Sequence, residues 1–101
     1  MDVEYLAHKV KDELKGSKEY IKIALELKPM ADAWAKKFYM MSVDEYTHAT
    51  NFYNLFNEYC SKIAESVMDL PDYISELRKE IVDMYAECSV EIKGMQDLYK
   101  G

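Results

Sequence analysis

The sequence is poor in the residues that interrupt helices, with only three glycines and two prolines among 101 residues. No apolar run approaches the roughly 20 residues that a membrane-spanning helix needs. Almost no segment shows the alternating, β-branched pattern that is typical of strands. These absences argue against a transmembrane helix and against a β-structured domain. Because half of the residues are hydrophobic, the composition favours a folded helical protein over a disordered chain.

Positive charge is also in short supply, because 13 Lys and Arg stand against 19 Asp and Glu, for a net charge of -6. Such a chain repels nucleic acid and anionic membranes, so we expect neither as a partner. Cys60 and Cys88 stand alone in helical stretches without a CxxC pair, and we expect both to be reduced core residues. The acidic start of the chain lacks the layout of a signal peptide, which predicts a cytoplasmic protein.

The two prolines divide the chain into three helical segments, at about residues 2–27, 30–68 and 72–99. Each segment repeats its apolar residues with the helical period. The pattern predicts an all-α protein with a single domain over residues 1–101, since smaller pieces could not bury a useful core. The predicted apolar seam of the second helix consists of Trp34, Phe38, Met41, Glu45, His48, Phe52, Leu55, Tyr59, Ile63 and Val67.

The second helix contains one pattern that could interrupt it. Ser42-x-x-Glu45 has the form of a capping box, which would let one helix end near Met41 and another begin at Ser42. A continuous helix of roughly 39 residues would also be long for a globular domain. Against a break, the apolar seam passes through this point without changing phase. The sequence therefore allows both a continuous second helix and one that is kinked near Ser42.

Three ionisable residues occupy positions where the helical pattern requires apolar ones. Glu13 lies between Val10 and Ser17 in the seam of the first helix, and Glu45 and His48 take two successive seam positions in the second. A buried carboxylate without a partner is unfavourable and tends to bind a proton or a cation. Carboxylate oxygens and imidazole nitrogens are ordinary ligands for iron, manganese and zinc. The pattern therefore predicts a metal site.

Spacing brings the three candidate ligands together. Glu45 and His48 are three residues apart and project from adjacent turns of one helix face. If the first two helices form an antiparallel hairpin that turns at Pro29, Glu13 lies 16 residues before the turn (29 − 13) and Glu45 lies 16 after it (45 − 29). At about 1.5 Å per residue, both lie roughly 24 Å from the turn. The hairpin would place all three side chains at one level.

The third helix offers a weaker candidate ligand. If that helix folds back at Leu70, Glu91 lies 21 residues beyond the turn (91 − 70) and His48 lies 22 before it (70 − 48). Glu91 could therefore be a further ligand, an anion that shields the site, or a surface residue.

Explanations without a metal also exist for each of the three ligands. Glu45 could cap a helix that begins at Ser42, His48 could hydrogen-bond a core tyrosine, and Glu13 could lie at the rim of the core.

Two stretches of the sequence resemble the first two helices of the ferritin-like superfamily, especially its rubrerythrin-type branch. They read D-E-L-x-G-S-x-x-Y-x-x-x-A from Asp12 and F-x-x-M-x-x-D-E-x-x-H-A from Phe38. The resemblance covers roughly residues 3–60. In that superfamily one helix supplies Glu, the next supplies Glu-x-x-His, and a second helix pair repeats the set to hold two iron ions. The resemblance implies that Glu13, Glu45 and His48 bind iron, with Glu45 bridging two metals. It also implies that Tyr20 is an aromatic residue near the site that either supports the ligands or is redox-active.

The sequence departs from the superfamily because it contains a single Glu-x-x-His. The other histidine, His8, falls on the polar side of the first helix. One chain therefore carries half of a di-iron site, which resembles the encapsulated ferritins, in which two short chains complete the centre. The resemblance implies a homodimer or larger oligomer, a four-helix bundle formed on dimerisation, and a ferroxidase-type di-iron centre that uses dioxygen or peroxide, with manganese or zinc as alternative metals. A second hypothesis is a non-enzymatic helical adaptor or assembly protein with a structural or vestigial metal site.

Overall fold

The computed structural model describes residues 1–68 and 70–101, and it confirms an all-α fold with three helices. The helices are α1 (Val3–Leu27), α2 (Asp32–Val67) and α3 (Asp72–Lys100). The Asp2 side chain caps α1 by accepting a hydrogen bond from the Tyr5 N–H at 2.8 Å. Pro29 lies in the turn between α1 and α2, and α2 begins at Asp32, two residues later than the predicted start at about residue 30.

The second helix is unbroken over 36 residues, so the break considered near Ser42 does not occur. Ser42 is buried between helices. Its Oγ donates a hydrogen bond to the Ser17 carbonyl at 2.8 Å, and the Ser17 Oγ donates to the Ser42 carbonyl at 2.7 Å. Gln96 of α3 donates to the Ser42 Oγ at 3.1 Å. Ser42 therefore joins the three helices and does not cap one of them.

Helices α1 and α2 form the predicted antiparallel hairpin, with Ser17 opposite Ser42. Small residues lie at the contact, since Ala24, Ala35, Ser42 and Ala49 are all completely buried. The separation of two packed helices depends on the side chains between them, so small residues allow the backbones to approach closely. This close contact sets the level at which the side chains of the two helices meet.

The buried face of α2 differs from the predicted seam by about one residue. Its buried residues are Ala35, Ser42, Ala49, Phe56 and Cys60. The predicted seam residues Trp34 and Met41 are instead 59 % and 39 % exposed. The prediction was wrong here because it placed large apolar residues inwards, whereas the close contact with α1 selects the small ones.

Helix α3 packs against one side of the hairpin, parallel to α1 and antiparallel to α2. Four side-chain pairs along its length fix this direction: Lys11–Glu80, Lys18–Glu91, Asn57–Arg78 and Tyr46–Ser89. Helix α3 is also held by aromatic contacts, because the Tyr85 ring stacks on the Tyr53 ring with centroids 3.9 Å apart. The core between α3 and the hairpin includes Ile74, Ile81 and Ile92, which are almost completely buried.

Among the residues that the structure describes, no helix covers the other side of the hairpin. On α2, residues that touch α3, such as Tyr46 and Tyr53, lie about 120° on average around the helix from Glu45 and His48, at about 100° per residue. We call this side the open face. It comprises Lys9, Glu13, Gly16 and Tyr20 of α1 with Trp34, Phe38, Met41, Glu45, His48 and Phe52 of α2.

The outline of the chain is long and flat. Its principal extents are 56 × 21 × 15 Å, and its radius of gyration is 16.1 Å. A compact domain of about 100 residues has a radius near 13 Å. The flat outline follows from a single hairpin covered on one side only. Within the described residues, none of the helices combines the length and the apolar character that a membrane crossing requires.

Candidate metal centre

Three of the predicted ligands, Glu13, Glu45 and His48, meet on the open face. One ligand atom of each lies within 4.8 Å of the other two. The His48 Nδ1 is 3.4 Å from the Glu45 Oε1 and 3.8 Å from the Glu13 Oε2. These separations leave the three donors around a common space. The convergence that the spacing about Pro29 predicts is therefore confirmed.

The seam pattern predicted that the cluster would lie in the apolar interior. The cluster lies instead at the edge of the hairpin. The exposed fraction of the side chain rises from 14 % for Glu13 to 28 % for Glu45 and 53 % for His48. The cause is the one-residue shift of the buried face of α2, which turns His48 outwards and Ala49 inwards. The carboxylates form the floor of the cluster, and the imidazole stands at its rim.

A glycine provides the space for the Glu45 carboxylate. A Cβ atom at Gly16 would lie 2.9 Å from the Glu45 Oε2, closer than carbon and oxygen normally approach. Gly16 lies three residues after Glu13 on α1, so the same helix supplies one carboxylate and makes room for the other. Sequence reasoning did not give Gly16 a role in the site. The signal was a glycine inside a helix, where it is unfavourable without a packing reason.

The two carboxylates of the cluster influence each other. A hydrogen bond with Glu45 raises the pKa of the Glu13 carboxyl above its usual 4.5, and burial and the charge of Glu45 act in the same direction. Electrostatic interactions with His48 and Lys9 lower the Glu13 pKa and so oppose these effects. The Glu13 carboxyl therefore holds a proton more readily than an isolated carboxyl group would. A divalent cation could take the place of that proton.

The structure places Tyr20 on the open face but outside the cluster. Its ring centroid is 6.0 Å from that of Phe38, and the two rings are tilted by 47°. Its redox role stays a prediction.

Glu91 lies on the opposite side of the hairpin from the cluster. Its carboxylate is 2.8 Å from the Lys18 Nζ, and its side chain is 50 % exposed. The hydrogen bond from Lys18 lowers the pKa of the Glu91 carboxyl. Its role as a metal ligand stays a prediction, and in this structure its partner is a lysine. His8 is exposed on α1, as predicted.

The donor set fits a transition-metal ion. Two carboxylates and one imidazole suit iron, manganese or zinc, and they come from two helices that pack rigidly together. Three protein ligands leave coordination positions free for water, an oxidant or further side chains. The fit rests on the type and convergence of the donors and on the space above Gly16.

The fold and the cluster together define a class of protein, namely a three-helix protein with a carboxylate–histidine group on an α-helical hairpin. No known family model, curated protein or solved structure matches the chain. The function must therefore be argued from the residues of the cluster and from the surface around them.

Proposed function

We propose that the protein binds iron through Glu13, Glu45 and His48, and that two chains together form a di-iron carboxylate centre that oxidises Fe(II) with dioxygen or peroxide. The observation that supports the proposal most is the convergence of these three donors within 4.8 Å on one hairpin. The space above Gly16 adds to this support, because it accommodates the Glu45 carboxylate against the backbone of α1.

The residues of the site favour redox chemistry of iron. Bound iron would contribute the change between Fe(II) and Fe(III), and carboxylate oxygens stabilise the higher charge. Glu13 and Glu45 would supply these oxygens, and the exposed His48 would supply a neutral nitrogen at the rim. The exposure of His48 also leaves a path by which an oxidant and an iron ion could reach the cluster.

A second copy of the chain is the partner that would complete the site. One chain offers three donors, whereas a di-iron centre of the ferritin-like kind uses twice that set. A two-fold axis beside the cluster would bring in a second Glu13, Glu45 and His48, because an isologous interface repeats every contact. The large apolar residues around the cluster, including Trp34 and Met41, would be buried by the same contact.

Such a dimer would have the layers of a four-helix bundle. Helices α1 and α2 of both chains would form the bundle around the metals, and each α3 would pack outside it, on the side of the hairpin where it already lies.

Metal binding is tested by titrating the purified protein with Fe(II) under anaerobic conditions and by measuring its metal content after purification without chelator. His48→Ala and Glu45→Ala should abolish stoichiometric binding. His8→Ala is the matched control, since it removes an exposed histidine from the same chain and should leave binding unchanged. Variants at Glu45 and His48 that bind like the parent would contradict the assignment.

The shared site is tested by analytical ultracentrifugation of the parent and of Met41→Glu, with and without metal. Met41 lies on the open face and is 39 % exposed, so a charge there should be tolerated by the single chain but not by a dimer interface. We expect a dimeric parent and a monomeric Met41→Glu with weakened metal binding. A parent that is monomeric under both conditions would contradict the shared centre.

Oxidation is tested by mixing metal-free protein with Fe(II) in air and following Fe(III) absorbance against buffer. We expect the parent to accelerate the oxidation, and Tyr20→Phe to alter the rate without altering binding.

A helical assembly protein with a structural metal site is the second candidate. The observation that favours it is the exposed apolar surface around a rim histidine, which suits an interface as well as a catalytic centre. Tight metal binding and dimerisation without accelerated oxidation of Fe(II) would select this candidate over the first.

A further inference from the structure

A lysine stands beside the carboxylate cluster. Lys9 lies one turn before Glu13 on α1, and its Nζ is 3.9 Å from the Glu13 Oε1. The same ammonium group lies over the Phe52 ring of α2, 5.4 Å from its centroid. Only 33 % of the Lys9 side chain is exposed. The ammonium is therefore held between a carboxylate of one helix and an aromatic face of the other.

The two oxygens of Glu13 face different partners. Its Oε1 faces Lys9, and its Oε2 faces the His48 Nδ1 at 3.8 Å. Other lysines of α1 serve the opposite side of the hairpin, since Lys11 and Lys18 bind acidic residues of α3. The position of Lys9 thus differs from theirs, because its charge is directed at the proposed ligands.

We propose that Lys9 is the built-in counter-cation of the Glu13–Glu45 pair and that it lowers the affinity of the cluster for divalent metal. This role rests on the proposed metal-binding function. Metal ligands bind in their deprotonated form, so the cluster then consists of two carboxylates, a neutral imidazole and the Lys9 ammonium, with a net charge of −1 (−2 + 1). A divalent ion raises the total to +1, whereas without Lys9 the total would be zero. The ion therefore meets repulsion from Lys9, or the ammonium must leave Phe52 and turn towards solvent.

The lysine side chain is suited to this exchange. Its flexible stem carries a compact charge that can be rehydrated when it is displaced, unlike the planar and more rigidly bonded guanidinium of arginine. In the metal-free chain, Lys9 reduces the repulsion between the two carboxylates. When a metal arrives, the same charge weakens its binding, so the site would exchange its ion more readily than two glutamates and a histidine alone would allow.

The test compares Lys9→Met with the parent in Mn(II) titrations and in thermal unfolding with and without Mn(II). Methionine keeps an unbranched apolar stem against Phe52 and removes only the charge. We expect Lys9→Met to bind Mn(II) roughly twofold to fivefold more tightly, the range that a partly exposed ion pair is worth. We also expect the metal-free variant to melt at a lower temperature and to gain more from Mn(II) than the parent gains.

Two variants serve as controls. Lys9→Arg keeps the charge and should bind Mn(II) no more tightly than the parent. Lys15→Met removes an exposed lysine on another side of α1, which changes the net charge equally, and it should also bind like the parent.

A parent that binds Mn(II) and a Lys9→Met that binds it equally or more weakly would overturn the role of Lys9 alone. If neither protein binds Mn(II) or Fe(II), the proposed function fails, and the role of Lys9 fails with it. A purely structural role for Lys9 would lower the melting temperature with and without metal by the same amount. That result would also overturn the proposal.

Discussion

The substitution Gly16→Ala should affect the stability of α1 and the affinity for metal in opposite directions. Alanine in place of a helical glycine is worth about 1 kcal/mol in favour of folding. At Gly16, however, the new Cβ would lie 2.9 Å from the Glu45 Oε2, whereas ordinary contact begins at 3.4 Å. The carboxylate must therefore move by 0.5 Å (3.4 − 2.9) to restore ordinary contact. Metal–ligand distances are held to within about 0.2 Å, so we expect the affinity for metal to fall about tenfold or more.

Gly94→Ala is the matched control, because a Cβ at Gly94 has no neighbour within 4 Å. Urea unfolding and metal titration of both variants provide the assay. We expect Gly94→Ala to stabilise the chain by about 0.5–1 kcal/mol and to bind metal like the parent. Gly16→Ala should gain less stability than Gly94→Ala and should bind metal more weakly. If Gly16→Ala gains as much stability as the control and binds metal like the parent, the Glu45 carboxylate does not depend on this glycine.

Three further predictions concern the stability of the chain. Glu13→Gln should raise the melting temperature of the metal-free protein at neutral pH, because the pKa of Glu13 is raised on folding and its ionisation therefore favours the unfolded state. The difference in melting temperature between variant and parent should vanish as the pH falls below about 4.5. Equal melting temperatures at pH 7 would contradict this prediction. Ser17→Ala should destabilise the chain by about 1 kcal/mol in urea, because it removes the buried hydrogen bond to the Ser42 carbonyl, and an unchanged midpoint would show that the bond contributes nothing. Divalent metal should raise the melting temperature of the parent but not that of His48→Ala, and an equal rise in both would place the ion elsewhere.

The helices and the meeting of the three ligands could be predicted because both depend on local signals. Apolar periodicity and two prolines give three segments whose bounds differ from α1, α2 and α3 by no more than two residues. The turn at Pro29 then fixes the register of the hairpin, because the two helices that flank it can meet only at equal distances from it. Glu13 and Glu45 follow from that register without knowledge of the third helix.

The face of α2 that is buried, and the side of the hairpin on which α3 packs, could not be predicted in the same way. Hydrophobicity ranks Trp34 and Met41 above Ala35 and Ser42, yet the helix contact buries the small residues because they permit closer approach. Counting residues gives the height of Glu91 along the bundle but not its position around it. Helix α3 packs on the side of the hairpin away from the cluster, so Glu91 reaches Lys18 instead of the ligands.

The small residues at the hairpin contact and the carboxylates beside it depend on each other. Glu13 and Glu45 project from different helices, and their carboxylate oxygens lie within 4.8 Å of each other, so the two helices must lie close together at this level. The reciprocal hydrogen bonds between Ser17 and Ser42, next to the cluster, hold the backbones at that distance, and Gly16 removes the remaining obstacle. Larger residues at these positions would bury more apolar surface and separate the helices. The large apolar residues Trp34 and Met41 of α2 lie instead on the open face, where burial requires a second surface. The features that bring the ligands together are therefore the same features that leave this face available to a second copy of the chain.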